Sequence, residues 1–180
     1  MADIENLLQQ VAIARKNFIT STKGLTNEQA AFKSSPEVWS VTDNVEHMFW
    51  AEFGGINSVY KAVEGIKNNK PVFAGEKVHH GLHIETIIEK TWREKEEVPE
   101  TAKPRWGGTL SFWIEALSSL QPQLELLCKT FSGLDPEEII YPHIISGPLN
   151  VIQRLEFLRF HLQRHQQQIE DIKNHAAFPM

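Results

Sequence analysis

The chain of 180 residues is 41% hydrophobic and 23% charged, which excludes a disordered polymer and predicts one globular domain over 1–180. A net charge of −5 offers nucleic acid no basic footprint, and no apolar run approaches the roughly 20 residues of a membrane helix. Cys128 is the single cysteine, and the opening Met-Ala-Asp-Ile-Glu-Asn lacks a signal peptide's basic and apolar stretches, so a reducing, cytoplasmic location is expected.

Ile4, Leu7, Leu8, Val11, Ala14 and Phe18 recur at intervals of three and four, predicting a helix over about 3–22 that stops at Gly24. Thr26 to Gln29 offers a capping box for a short turn, which Ser34-Ser-Pro36 ends. A second box, Ser40 to Asp43, opens a helix over about 41–66. Gly54 and Gly55 weaken that helix but would admit a close neighbour. Residues 67–107 read as a connector holding a short amphipathic helix near 84–96, built on Ile84, Ile87, Ile88 and Trp92. Such a length exceeds the need of an antiparallel turn and allows a crossover that leaves its flanking helices parallel.

Leu110, Trp113, Leu117, Leu120, Leu124, Leu127 and Phe131 keep one phase across Pro122, predicting a single kinked helix. After a capped turn at 133–138, Tyr141 to Pro148 reads as irregular, and no alternating segment is long enough to force a sheet. Asn150 with Gln153 caps a last helix over about 151–174, with Val151, Leu155, Leu158, Leu162 and Ile169 inward. The expected fold class is all-α, a four-helix bundle.

Eight histidines are the unusual feature of the composition. His161 and His165 stand four apart in the last helix and share one face at the shoulder of its core stripe. His47 lies in the second long helix with Asn44, Met48, Ala51, Gly55 and Ser58, opposite the bulky stripe of Val45, Phe49, Ile56, Val59 and Val63. That smaller face leaves room for a ligand, with Asn44, Met48 and Ala51 as expected pocket-lining residues. Three imidazoles from two helices suit a divalent transition metal and leave coordination positions open. By spacing alone, two satisfied core-edge histidines explain the pair as well. His79 and His83 repeat the spacing but straddle Gly81, and with His80 they read as solvated loop without an assigned role.

Trp39-Ser-Val-Thr-Asp-Asn-Val-Glu-His47-Met, followed by Glu52, resembles the helix-two signature of the DinB/YfiT-like superfamily of four-helix metal-binding proteins. Gly147-Pro-Leu, continuing to His161-Leu-Gln-Arg-His165-Gln-Gln-Gln-Ile169, resembles that superfamily's helix-four signature. The resemblance implies an up-down-down-up bundle whose metal triad is His47, His161 and His165, holding one divalent cation such as nickel, zinc or iron. Relatives that use bacillithiol or mycothiol imply a metal-dependent transferase, in which a low-molecular-weight thiol attacks a small electrophile. This chain has His47-Met-Phe-Trp50 where those thiol transferases commonly carry a polar His-x-x-Asp. A metal-dependent hydrolase and a non-catalytic binding bundle are the alternatives.

Glu52 is a proton-transfer candidate in the hydrolase scheme, or else a structural carboxylate paired with a lysine or arginine. Asp43 is expected as a cap, Asn44 as a substrate contact or an ordinary buried amide, and Cys128 as core. Arg154 and Arg164 fall on the polar side of the last helix, where surface pairing is expected. Exposed aromatics are compatible with a homodimer.

Overall fold

The computed structural model describes residues 4–92 and 97–180, and these are mostly helical. Helix α1 (Ile4–Ser21) ends where Gly24 takes a φ of +78°, a left-handed turn open to glycine without steric cost. Helices α2 (Asn27–Ala31) and α3 (Val41–Lys67) both start on complete capping boxes, Thr26 with Gln29 and Ser40 with Asp43. Each such N-cap contributes about 1 kcal/mol and fixes where its helix begins.

The connector helix α4 (Ile84–Thr91) is shorter than the periodicity predicts. Trp92 is already extended, and its N–H closes on the Ile88 carbonyl; the expected remainder at 93–96 lies outside the described residues. A 3₁₀ turn follows at Glu100–Ala102.

The single kinked helix expected around Pro122 is instead two helices, α5 (Leu110–Ser118) and α6 (Leu120–Lys129). Pro122 has no N–H for the Ser118 carbonyl and its ring crowds that oxygen, so the ladder breaks one turn upstream. Ser119 keeps right-handed helical angles at the joint, which is why the apolar phase carries through.

A hairpin overturns the expectation that no sheet forms. Strand β1 (Ile140–His143) pairs antiparallel with β2 (Gly147–Asn150), in the register Ile140 opposite Asn150 and His143 opposite Gly147. Pro142 faces Pro148 as a non-hydrogen-bonded pair, so neither missing N–H removes a bond between the strands. The second strand runs directly into α7 (Val151–Lys173) through the Asn150–Gln153 capping box.

Helix α1 lies along α7, and α3 packs against α5, α6 and α7. Val11, Phe18, Val45, Met48, Trp113, Leu117 and Leu162 fill the core between them. A second cluster (Val59, Val63, Leu127, Phe131, Ile139) lies beneath the hairpin, and Ile84 and Ile87 seat α4 beside Phe157. Gly54 and Gly55 admit no close neighbour, contrary to expectation. A methyl group added at either would meet nothing within 4 Å, because both border a cavity. Among the described residues, no helix is long and apolar enough to cross a membrane.

Candidate metal centre

Helix α7 presents His161 and His165 one turn apart, and the packing of α3 against α7 brings His47 to them. His161 Nε2 lies 3.3 Å from His47 Nε2 and 3.0 Å from His165 Nε2. One ligand nitrogen from each of the three buried histidines falls within 4.8 Å of the others.

The opposite ring edges decide which nitrogen is free. His47 Nδ1–H donates to the Ala102 carbonyl at 2.8 Å, and His165 Nδ1–H donates to Asn44 Oδ1 at 2.8 Å. Asn44 cannot turn its amide round, because its Nδ2 already donates to the Ser40 carbonyl at 2.9 Å. Both Nε2 atoms therefore point lone pairs inward, at a third Nε2 that can donate to only one of them. Such a cluster of acceptors is repulsive by itself and suits a cation at its centre. Metal–nitrogen bonds of about 2.0–2.1 Å imply ligand separations of about 3.0 Å at right angles and about 3.4 Å at tetrahedral angles. Two of the three separations, 3.0 and 3.3 Å, fall in that range and the third lies within 4.8 Å, so the residues could hold a metal ion.

Burial keeps the rings in their ligating form. Desolvation pulls His47 down to about 4, only partly offset by its bond to Ala102. It also holds His161 and His165 well below the ordinary imidazole range, with the neighbouring histidines adding to the effect. Trp39 packs against His47 with ring centres 4.8 Å apart, and Phe157 lies 5.4 Å from His161. These aromatic walls lower the local dielectric and strengthen any charge interaction inside.

Beside His47, the fully buried Glu46 ties the connector to α3. Its carboxylate accepts backbone N–H bonds from Arg105 (2.7 Å), Trp106 (2.7 Å) and Gly107 (3.0 Å), and the indole N–H of Trp50 at 3.2 Å. Trp113 Nε1 holds the same loop from the other side through the Gly107 carbonyl at 2.6 Å. Glu46 thus fixes the segment that carries Ala102 to His47. No sequence motif marks Glu46 or the Ala102 carbonyl. The available signal for Glu46 was a carboxylate directly preceding a histidine inside an amphipathic helix.

A cavity of about 1340 Å³ opens beside the histidines and extends to the hairpin. Asn44 and Ala51 border it. Met48 does not: it is fully buried in the core among Val45 and Leu117, a correction to its expected pocket role. Glu52 is buried against Arg15, whose guanidinium also meets Gln121, and no hydrogen bond among the described residues joins it to the histidines. Desolvation pushes Glu52 up to about 7 despite that partner. Asp43 caps α3 as expected. Cys128 borders the cavity, with burial pushing its thiol up to about 12. His79 is held by the Ser146 carbonyl at 2.7 Å, His80 approaches Glu137 at 3.5 Å and His83 precedes α4. Arg154, expected on the polar surface, instead borders the cavity.

The DinB superfamily model matches residues 10–169. The chain belongs to the DinB superfamily. Among curated proteins, no sequence matches it. The match takes in α3 and α7 as far as Ile169, so all three histidines of the centre lie inside the DinB region.

Proposed function

We propose that this DinB-superfamily chain is a metal-dependent transferase that joins a low-molecular-weight thiol to a small electrophile, on an up-down-down-up helical scaffold. His47, His161 and His165 would hold one divalent cation such as zinc, nickel or iron. Bound there, the cation supplies Lewis acidity that lowers the pKa of a thiol brought to it.

The observation that carries this reading is the inward convergence of three buried Nε2 atoms, two of them fixed by bonds on the far side of their rings, at the wall of a large cavity. Ala102 and Asn44 orient the ligands, while Trp39 and Phe157 limit water at the centre. The chain's own thiol is a poor nucleophile, because Cys128 remains protonated at neutral pH; an external thiol meets the need. Hydrolysis would call for a carboxylate linked to the histidines, and among the described residues no hydrogen bond joins Glu52 to them, while Glu46 is saturated by N–H donors. That contrast favours transfer over hydrolysis.

The test is elemental analysis of protein purified without an affinity tag, followed by thiol consumption with an electrophile such as 1-chloro-2,4-dinitrobenzene. About one metal per chain, and turnover that stops on chelation and in His161→Ala, supports the reading. Turnover of esters without thiol would favour the hydrolase. Metal content unchanged in His47→Ala and His161→Ala would reduce the histidines to packing residues.

A further inference from the structure

Arg154 lies seven residues before His161 on α7, about 10 Å along the axis and only about 20° away around it. Both side chains therefore look from one helix face into the same cavity. Among the described residues Arg154 has no carboxylate partner. Its Nη2 donates to the Tyr141 carbonyl at 2.9 Å, its Cζ lies 6.0 Å from the centre of the Tyr141 ring, and its buried Nε has no acceptor among the described residues. Arg15 Nε is likewise without an acceptor, but Arg15 meets the Glu52 carboxylate and Gln121; Arg159 meets Glu85, and Arg105 bonds three backbone carbonyls while covering the Trp50 ring.

Among the described residues, none pairs with the Arg154 charge. Leu127, Phe131, Val151, Leu155 and Leu158 are among the residues that line the cavity. Burial pulls Arg154 down to about 10, which leaves it cationic at neutral pH. Nearby His143 is pulled to about 3 by burial and by Arg154's charge, so it neither adds nor cancels charge. A half-buried guanidinium that lines an apolar-walled cavity and meets no carboxylate among the described residues is stabilised when an anion completes it. Its planar fork matches the two oxygens of a carboxylate.

We propose that the cavity takes an elongated apolar substrate with a terminal carboxylate, which Arg154 receives while the other end of the molecule reaches the three histidines. The assignment of the second end rests on the transferase reading above; the carboxylate subsite stands without it.

Isothermal titration of chelator-treated and zinc-loaded protein with decanoate, decanol and decyl phosphate tests this. Decanoate should bind the wild type about 10-fold or more tighter than Arg154→Met, as loss of a charge-assisted hydrogen bond implies, with decanol changed less than about twofold. Arg154→Lys, which keeps the charge but loses the fork, should fall between and serves if Arg154→Met does not fold. The preference should persist in chelated protein, so failure of the metal reading leaves this result legible. Equal decanoate binding by wild type and both variants overturns the proposal, as does parallel weakening of decanoate and decanol. Tighter binding of decyl phosphate than of decanoate overturns the carboxylate assignment.

Discussion

Glu46→Gln tests whether the connector is held by a carboxylate rather than by packing. Glu46 Oε1 serves Arg105, Trp106 and Trp50, while Oε2 serves Gly107 at 3.0 Å. A glutamine can keep its oxygen on the first group only by turning its NH₂ toward the Gly107 N–H. One bond to a charged acceptor is then replaced by donor facing donor, costing about 1.5–3 kcal/mol, and the remaining bonds weaken with the loss of charge. A total of about 3 kcal/mol is expected, which for a chain of this size lowers Tm by about 6–12 °C. Differential scanning calorimetry of chelated protein reads this without any metal contribution. Zinc affinity measured in parallel should fall about tenfold, because the loosened loop also carries Ala102 away from His47. A Tm within about 2 °C of wild type would refute the clamp. A lower Tm with unchanged zinc affinity would sever the link from clamp to ligand.

Asn44→Ala frees the His165 ring and should weaken zinc binding about 10–100-fold in a competitive chelator titration, with the helix content unchanged by circular dichroism. The histidines make metal-free protein acid-sensitive. His47 titrates at about 4 when folded and at 6.5 when unfolded, so between those values the unfolded chain binds more protons and stability falls as pH falls. Urea midpoints of chelated protein should therefore decline from pH 6.5 toward pH 4, and His47→Ala should flatten that decline. Cys128, with its thiol near 12, should react with iodoacetamide at pH 8 more than about 100-fold slower than free cysteine, as mass spectrometry of a time course would show.

The helix starts were readable because they are local. Thr26 with Gln29, Ser40 with Asp43 and Asn150 with Gln153 each hold a box within four residues. The histidine cluster was readable only in part. Spacing put His161 beside His165, whereas His47 was tied to them by resemblance, because no local pattern brings residue 47 to residue 161. The hairpin escaped because its strands are four residues each and carry Pro142, Pro148 and Gly147, which alone read as loop. Arg154 was misplaced for a related reason. Helical phase gives a side chain's direction, but whether that direction ends in water or in a cavity depends on what the hairpin and α6 leave open.

The two acceptors that steady the imidazoles differ in kind. One is a main-chain oxygen, which nearly any residue at 102 would offer to His47 while the backbone keeps its course. The other belongs to the side chain of Asn44, and exchanging that amide removes it. A change at position 102 therefore reaches His47 only through the course of the backbone, while a single codon at 44 governs the posture of His165. The centre is built with one inherited adjustment and one that is insulated from the genetic code.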